Sequence, residues 1–203
     1  MTDGSRTTER SHVTDSSGAS DPWSVRSITR TLLPILFVLT GLELLSGLAL
    51  GSFEATLLRY PSLLVLVPVT IGTAGNLGSV LSARLSTDMH LGLLTFSPEN
   101  DRLVGNAVAS VLLALTVFPL VGAGAWAVTR VTGTARLAPG TVVAVAFVSG
   151  LALAVFVVAL ALASTYAAVR YELDPDDVVI PTVTNVSDVL GVVVLVVASQ
   201  LLV

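Results

Sequence analysis

The sequence predicts an all-α membrane protein, a bundle of five transmembrane helices, and three observations carry that prediction. The composition is 53% hydrophobic and only 12% charged, with a mean hydropathy of +0.88; a soluble domain carries roughly 25% charged residues. The apolar residues fall into long blocks instead of alternating with polar faces, as they would around a soluble core of this size. Five of these blocks reach at least about 20 residues, enough at about 1.5 Å per residue to cross a hydrocarbon core of roughly 30 Å.

The chain opens with a polar stretch of Ser, Thr, Asp and Gly from Met1 to about Ser20. It has too little to bury to fold. No apolar run begins until after Trp23 and the first lacks a small-residue cleavage site, so it is expected to remain as a span and not to be removed as a signal peptide. Residues 1–26 therefore read as a disordered cytoplasmic tail ending in an interfacial anchor, with Trp23, Arg26 and Arg30 at the membrane surface. The membrane domain follows over 27–203.

Its first span is predicted over 31–53, apolar apart from Glu43, with Glu54 just beyond it at the interface. The second, 61–86, interrupts a helical pattern with Pro61, Pro68, Gly72, Gly75 and Gly78. The third and fourth cover 103–128 and 141–169, and the fifth starts at Pro181 and reaches Val203. Arginine bias orients the bundle: the flanks on the side of the tail carry Arg26, Arg30, Arg84, Arg102 and Arg170, against Arg59, Arg130 and Arg136 on the other. This predicts a multi-pass protein of the cell membrane with a cytoplasmic N-terminus and its C-terminus outside.

Several functions are excluded or disfavoured by what the chain lacks. With no cysteine, disulfides and thiolate chemistry are ruled out, and His12 and His90 are the only histidines. A net charge of −4, with arginine as the sole basic residue type, provides no basic stripe for nucleic acid. No paired catalytic aspartates, zinc motif or serine with a histidine base falls at membrane depth, so enzymatic activity is not expected and no organic cofactor is implied.

The chemistry-bearing residues lie inside the spans. Glu43 sits in the middle of the first, where a carboxylate costs several kcal/mol unless it faces protein or water. Asp188 occupies the fifth, in the run Pro181-Thr182-Val183-Thr184-Asn185-Val186-Ser187-Asp188. Helical spacing puts Thr184 and Asp188 on one face with Asn185 beside them, an oxygen-bearing set of the kind hard cations require. In the second span Gly72, Asn76, Ser79, Ala83 and Ser86 recur at intervals of three and four, forming a small and polar strip that either packs backbones closely or lines an aqueous path. Glu172, Asp174, Asp176 and Asp177 form an acidic cluster, read as a loop that is either simply solvated or concentrates cations near an entrance. His90 reads as a loop residue and not as a ligand.

The second span and its exit, PSLLVLVPVTIGTAGNLGSVLSARLSTDMHLG over 61–92, resemble the signature of the MgtE family of magnesium transporters and channels, in the archaeal branch related to eukaryotic solute carriers. The closing run IPTVTNVSDVLG, 180–191, is similar to the motif of the family's last helix. The resemblance implies an MgtE-like transmembrane domain: a dimeric five-helix bundle with a cation path at or near the subunit interface. It implies that Asp188 holds a largely hydrated Mg²⁺, and that Asn76, with Gly75 and Gly78, forms the asparagine-glycine turn of the second helix. Bacterial members carry a cytoplasmic helical domain and a paired regulatory domain, for which residues 1–26 offer no counterpart. The run Leu77-Gly78-Ser79-Val80 also departs from their glutamine-containing sequence.

The expected function is divalent cation transport across the cell membrane, of Mg²⁺ as the transported and bound ion. Asp188 is the principal ligand, and Thr184, Asn185, Asn76 and Glu43 assist. The alternatives are transport of another divalent metal such as Mn²⁺ or Co²⁺, Na⁺-coupled divalent cation exchange, and a non-transporting membrane scaffold subunit. The expected partners are membrane lipid and a second chain, identical in a homodimer or homologous in a heterodimer.

Overall fold

In a computed structural model, which describes residues 25–97 and 99–203, the chain is a bundle of α-helices, five of them long and apolar enough to cross a membrane. The elements are α1 (Val25–Gly51), α2 (Glu54–Arg59), α3 (Pro61–His90), α4 (Asp101–Val131), α5 (Pro139–Arg170) and α6 (Pro175–Leu202). The predicted fold class holds; of the tail read over 1–26, residues 1–24 lie outside the described residues, and Val25 and Arg26 begin α1.

Local chemistry explains the helix ends. Pro61, Pro139 and Pro175 occupy the first turns of α3, α5 and α6, where a missing N–H has no intrahelical partner to lose. Asn100 caps α4 by accepting hydrogen bonds from the backbone N–H groups of Arg102 and Leu103, and Asp174 caps α6 by accepting from that of Asp176. Asp101 in the first turn of α4 and Arg130 in its last complement the helix dipole.

Three sequence boundaries are corrected. The first span ends at Gly51, and Glu54 starts the separate six-residue α2 across a break at Ser52 and Phe53. The second runs one turn further than expected, to His90. The last begins at Pro175, not Pro181, so the acidic cluster is not all loop: Asp174 is the cap, and Asp176 and Asp177 lie in the first turn. Pro181 is tolerated inside α6 because the carbonyl it deprives of a donor, that of Asp177, lies in the opening turn at the helix end.

Packing places α5 at the centre, against α3, α4 and α6, with α3 also lying along α6. Small residues let the backbones approach. Ala146, Gly150, Ala154 and Ala161 are buried on α5, and a Cβ at Gly150 would overlap the ring of Phe118 from α4. Leu81, Leu85, Leu153, Val157, Val179 and Val183 fill the core around that contact. α1 touches the rest of the bundle chiefly through α6, and Leu33, Phe37, Leu44 and Leu48 on it stay exposed.

Candidate cation site between α3 and α6

Asp188 lies thirteen residues into α6, about 20 Å from its first residue at about 1.5 Å per residue, and so near the middle of this membrane-length helix. The residue opposite it on α3 is Gly75. A Cβ added there would stand 3.2 Å from the Asp188 Oδ1 and 3.8 Å from the Thr184 Cγ2. Any side chain at position 75 would therefore fill the space beside the carboxylate.

The neighbouring contacts hold this gap in register. One turn along α3, a Cβ at Gly78 would sit 2.6 Å from the Val183 Cγ1 and 2.8 Å from the Val157 Cγ1, so α3 is pressed against both α5 and α6 there. On the other side, a Cβ at Gly191 of α6 would meet the Ile71 Cγ1 at 2.9 Å. Gly78 and Gly191 thus clamp the two helices on either side of the Gly75–Asp188 level.

The polar side chains near Asp188 donate to backbone carbonyls of their own helix. The Thr184 hydroxyl donates to the Ile180 carbonyl at 2.6 Å and lies 3.2 Å from the Pro181 carbonyl. The Asn185 amide donates to the Pro181 carbonyl at 2.8 Å, and the Ser187 hydroxyl donates to that of Val183. Oxygen lone pairs remain available on Thr184 and Asn185, together with the second N–H of the Asn185 amide. Asp188 is half-buried and, among the described residues, has neither a hydrogen bond nor an ion pair. The arrangement can accept a cation or the water around one through the carboxylate and these oxygens.

Glu43 of α1 is exposed, and its carboxylate lies close enough to Asp188 for the two charges to interact. Asn76 is also exposed, as are Gly72 and Ala83, whereas Ser79 is half-buried and Ser86 buried. Nothing lies within 4 Å of a Cβ placed at Gly72. The small and polar strip therefore divides: Ser79 and Ser86 turn inward and Gly72, Asn76 and Ala83 turn away from the protomer's own core, while the close contacts to α6 are made by Gly75 and Gly78 on the neighbouring face. The pattern of threes and fours selected the strip instead of that face, because the choice between two faces of one glycine-rich helix depends on where α6 lies.

At the end of the bundle where α3 finishes and α6 starts, the structure brings together two further groups of residues. Arg102 makes an ion pair with Asp88 at 3.2 Å, and the Asn106 amide lies 3.4 Å from the same carboxylate. These residues, with Arg84, Thr87 and Asp101, line a cavity of about 650 Å³ between α3 and α4. His90, read from sequence as a loop residue, is instead the last residue of α3 and stands beside Asp174 and Asp176. The one-turn extension of α3 and the earlier start of α6 create that meeting, and neither was legible from periodicity.

Residues 67–198 match the family model MgtE, described as divalent cation transporter. The chain is similar to solute carrier family 41 member 3 of Rattus norvegicus, with 27% identity over 197 residues covering 88% of this chain. It is also similar to the Mus musculus protein of that name, with 25% identity over 184 residues and 84% of this chain. The chain spans only 40% and 36% of the lengths of those two relatives.

Proposed function

Since the chain belongs to the MgtE family of divalent cation transporters, we propose that it carries a divalent cation, Mg²⁺, across the cell membrane, with Asp188 as the principal ligand. The observation that carries this reading is a carboxylate midway along a membrane-length helix without a protein partner among the described residues, opposite a glycine and beside oxygen lone pairs. A charge so placed is costly unless a compensating charge or water reaches it. A divalent cation that keeps much of its hydration shell supplies both. Mg²⁺ sheds water reluctantly and is commonly held through one or two carboxylates, which suits a site with one carboxylate and a few neutral oxygens.

The path is formed with a second copy of the chain. Glu43 and Asn76 are polar, lie within the spans and are exposed on the isolated protomer, so in a bilayer they would face lipid unless another chain or water covers them. The thin attachment of α1 leaves the α1–α6 side available for such a contact. Two-fold symmetry would bring two copies of Asp188 and Glu43 toward a shared axis, giving a field that attracts cations from both entrances.

The test is flux. Purified protein in liposomes should dissipate a gradient of Mg²⁺, assayed in parallel with Ca²⁺, Mn²⁺ and Co²⁺ and with or without Na⁺ and H⁺ gradients. Mg²⁺ flux that saturates with concentration supports the reading, and dependence on a Na⁺ or H⁺ gradient would identify coupled exchange. Absence of flux for all four cations, from protein shown to be folded and dimeric, would return the chain to the scaffold alternative.

A further inference from the structure

We propose that His90, Asp174 and Asp176 form a second metal site, for a divalent transition metal of the Mn²⁺ to Zn²⁺ series, which clips the end of α3 to the start of α6. One ligand atom from each of the three side chains lies within 4.8 Å of the other two, close enough for a single ion to be bound by all of them. No residue of this site belongs to the cation path at Asp188, and the proposal does not rest on that path.

The ligands come from two helices that are already fixed against each other. The contacts of Gly75, Gly78 and Gly191 hold α3 along α6, so their common end is set by packing and the ion need not assemble it. Rigid elements beneath a ligand set reduce the ordering cost of binding. The His90 ring is also oriented. Its Nδ1–H donates to the carbonyl of the buried Ser86, 3.0 Å away, which leaves the Nε2 lone pair as the free base. Metal-binding histidines are commonly held in this way, with the second ring nitrogen donating to a carbonyl, which fixes the tautomer and raises the basicity of the ligating nitrogen. Asp174 uses Oδ1 to accept the backbone N–H of Asp176 at 3.0 Å, so its Oδ2 remains available.

The donor set selects the class of ion. One imidazole nitrogen and two carboxylates neutralise a divalent charge, and the exposed position leaves the remaining coordination positions to water. Mg²⁺ prefers an all-oxygen shell, whereas imidazole favours the first-row transition metals, so this site and the Asp188 site differ in preference. The bound ion ties together the two helices that carry Gly75 and Asp188, and its occupancy should therefore restrain their relative movement at this end of the bundle.

The experiment uses the full chain in lipid nanodiscs, titrated with Mn²⁺ in a large excess of Mg²⁺ and examined by electron spin-echo envelope modulation for coordinated nitrogen. The expected result is one Mn²⁺ per chain retained against Mg²⁺, with an imidazole nitrogen signal. H90Q should abolish that signal and weaken binding at least tenfold, and D176N should weaken binding to a similar degree. H12Q and D188N should leave the nitrogen signal intact, which separates this site from both the other histidine and the transport path. Absence of the nitrogen signal in the unaltered chain, its persistence in H90Q, or unchanged Mn²⁺ affinity in D176N would each overturn the proposal.

Discussion

Gly75 and Asp188 face each other across the α3–α6 contact so closely that one methyl group at position 75 would come within 3.2 Å of the carboxylate oxygen. Under the proposed function the glycine determines how much room a cation and its water have beside Asp188. G75A should fold almost normally: the group it meets is the end of a side chain that can turn aside, and alanine recovers about 0.5–1 kcal/mol of helix propensity over glycine. The expected outcome is a melting temperature near that of the unaltered protein with markedly reduced Mg²⁺ affinity in liposome flux. Unchanged affinity would show that position 75 does not border the path.

Gly78 makes the opposite prediction from the same helix face. Its added methyl would meet Val183 and Val157 in the core at 2.6 and 2.8 Å, with no flexible end to yield. G78A should cost about 1–3 kcal/mol through overpacking, measured as a loss of thermal or denaturant stability in detergent. G72A, where nothing lies within 4 Å, should leave protomer stability unchanged.

Asp88 and Arg102 join α3 to α4 beside the cavity, with side-chain exposures of 11% and 57%. Removing the arginine strands a mostly buried carboxylate, whereas removing both charges does not. R102Q should therefore destabilise the protein by about 1–3 kcal/mol, and D88N/R102Q should recover part of that loss. Denaturant unfolding of the two variants checks the order, and a double variant less stable than R102Q would contradict it.

Under the proposed function Glu43 acts on the path through its field. E43Q preserves shape while removing a negative charge that interacts with Asp188, and it should weaken Mg²⁺ affinity by roughly tenfold or less, given the moderate strength of a screened pair. The loss should shrink as the ionic strength of the flux buffer rises. An affinity loss independent of salt would instead point to direct coordination by Glu43.

How far the sequence can be read follows from what each pattern encodes. Length and apolarity specify a membrane helix almost independently of its neighbours, so all five spans were legible. Pro181 misled because proline usually marks a helix start in water, yet here it lies one and a half turns inside α6, where the opening turn tolerates a carbonyl that has lost its donor. Asp188 stood out because a carboxylate in a span is rare and costly. The importance of Gly75 over Gly72 was not legible, since the spacing of threes and fours picked the strip that holds Gly72 and left Gly75 beside it, and only the position of α6 distinguishes them. The proximity of His90 to Asp174 and Asp176 was not legible for a related reason: they are more than eighty positions away and reach it only because α3 ends where α6 begins.

The central claim is that the Asp188 charge holds the transported ion, and D188N tests it most directly. Asparagine keeps the size and polarity of the side chain, and Gly75 opposite it still leaves room, so the variant should insert and assemble as the unaltered chain does. Mg²⁺ flux into liposomes, normalised to correctly folded dimer, should lose most of its saturable component in D188N. D188E should retain binding with altered selectivity among Mg²⁺, Mn²⁺ and Co²⁺, because the longer side chain changes how much water the ion keeps. Near-normal Mg²⁺ flux and affinity in D188N would contradict the account and assign Asp188 to the packing of α3 against α6.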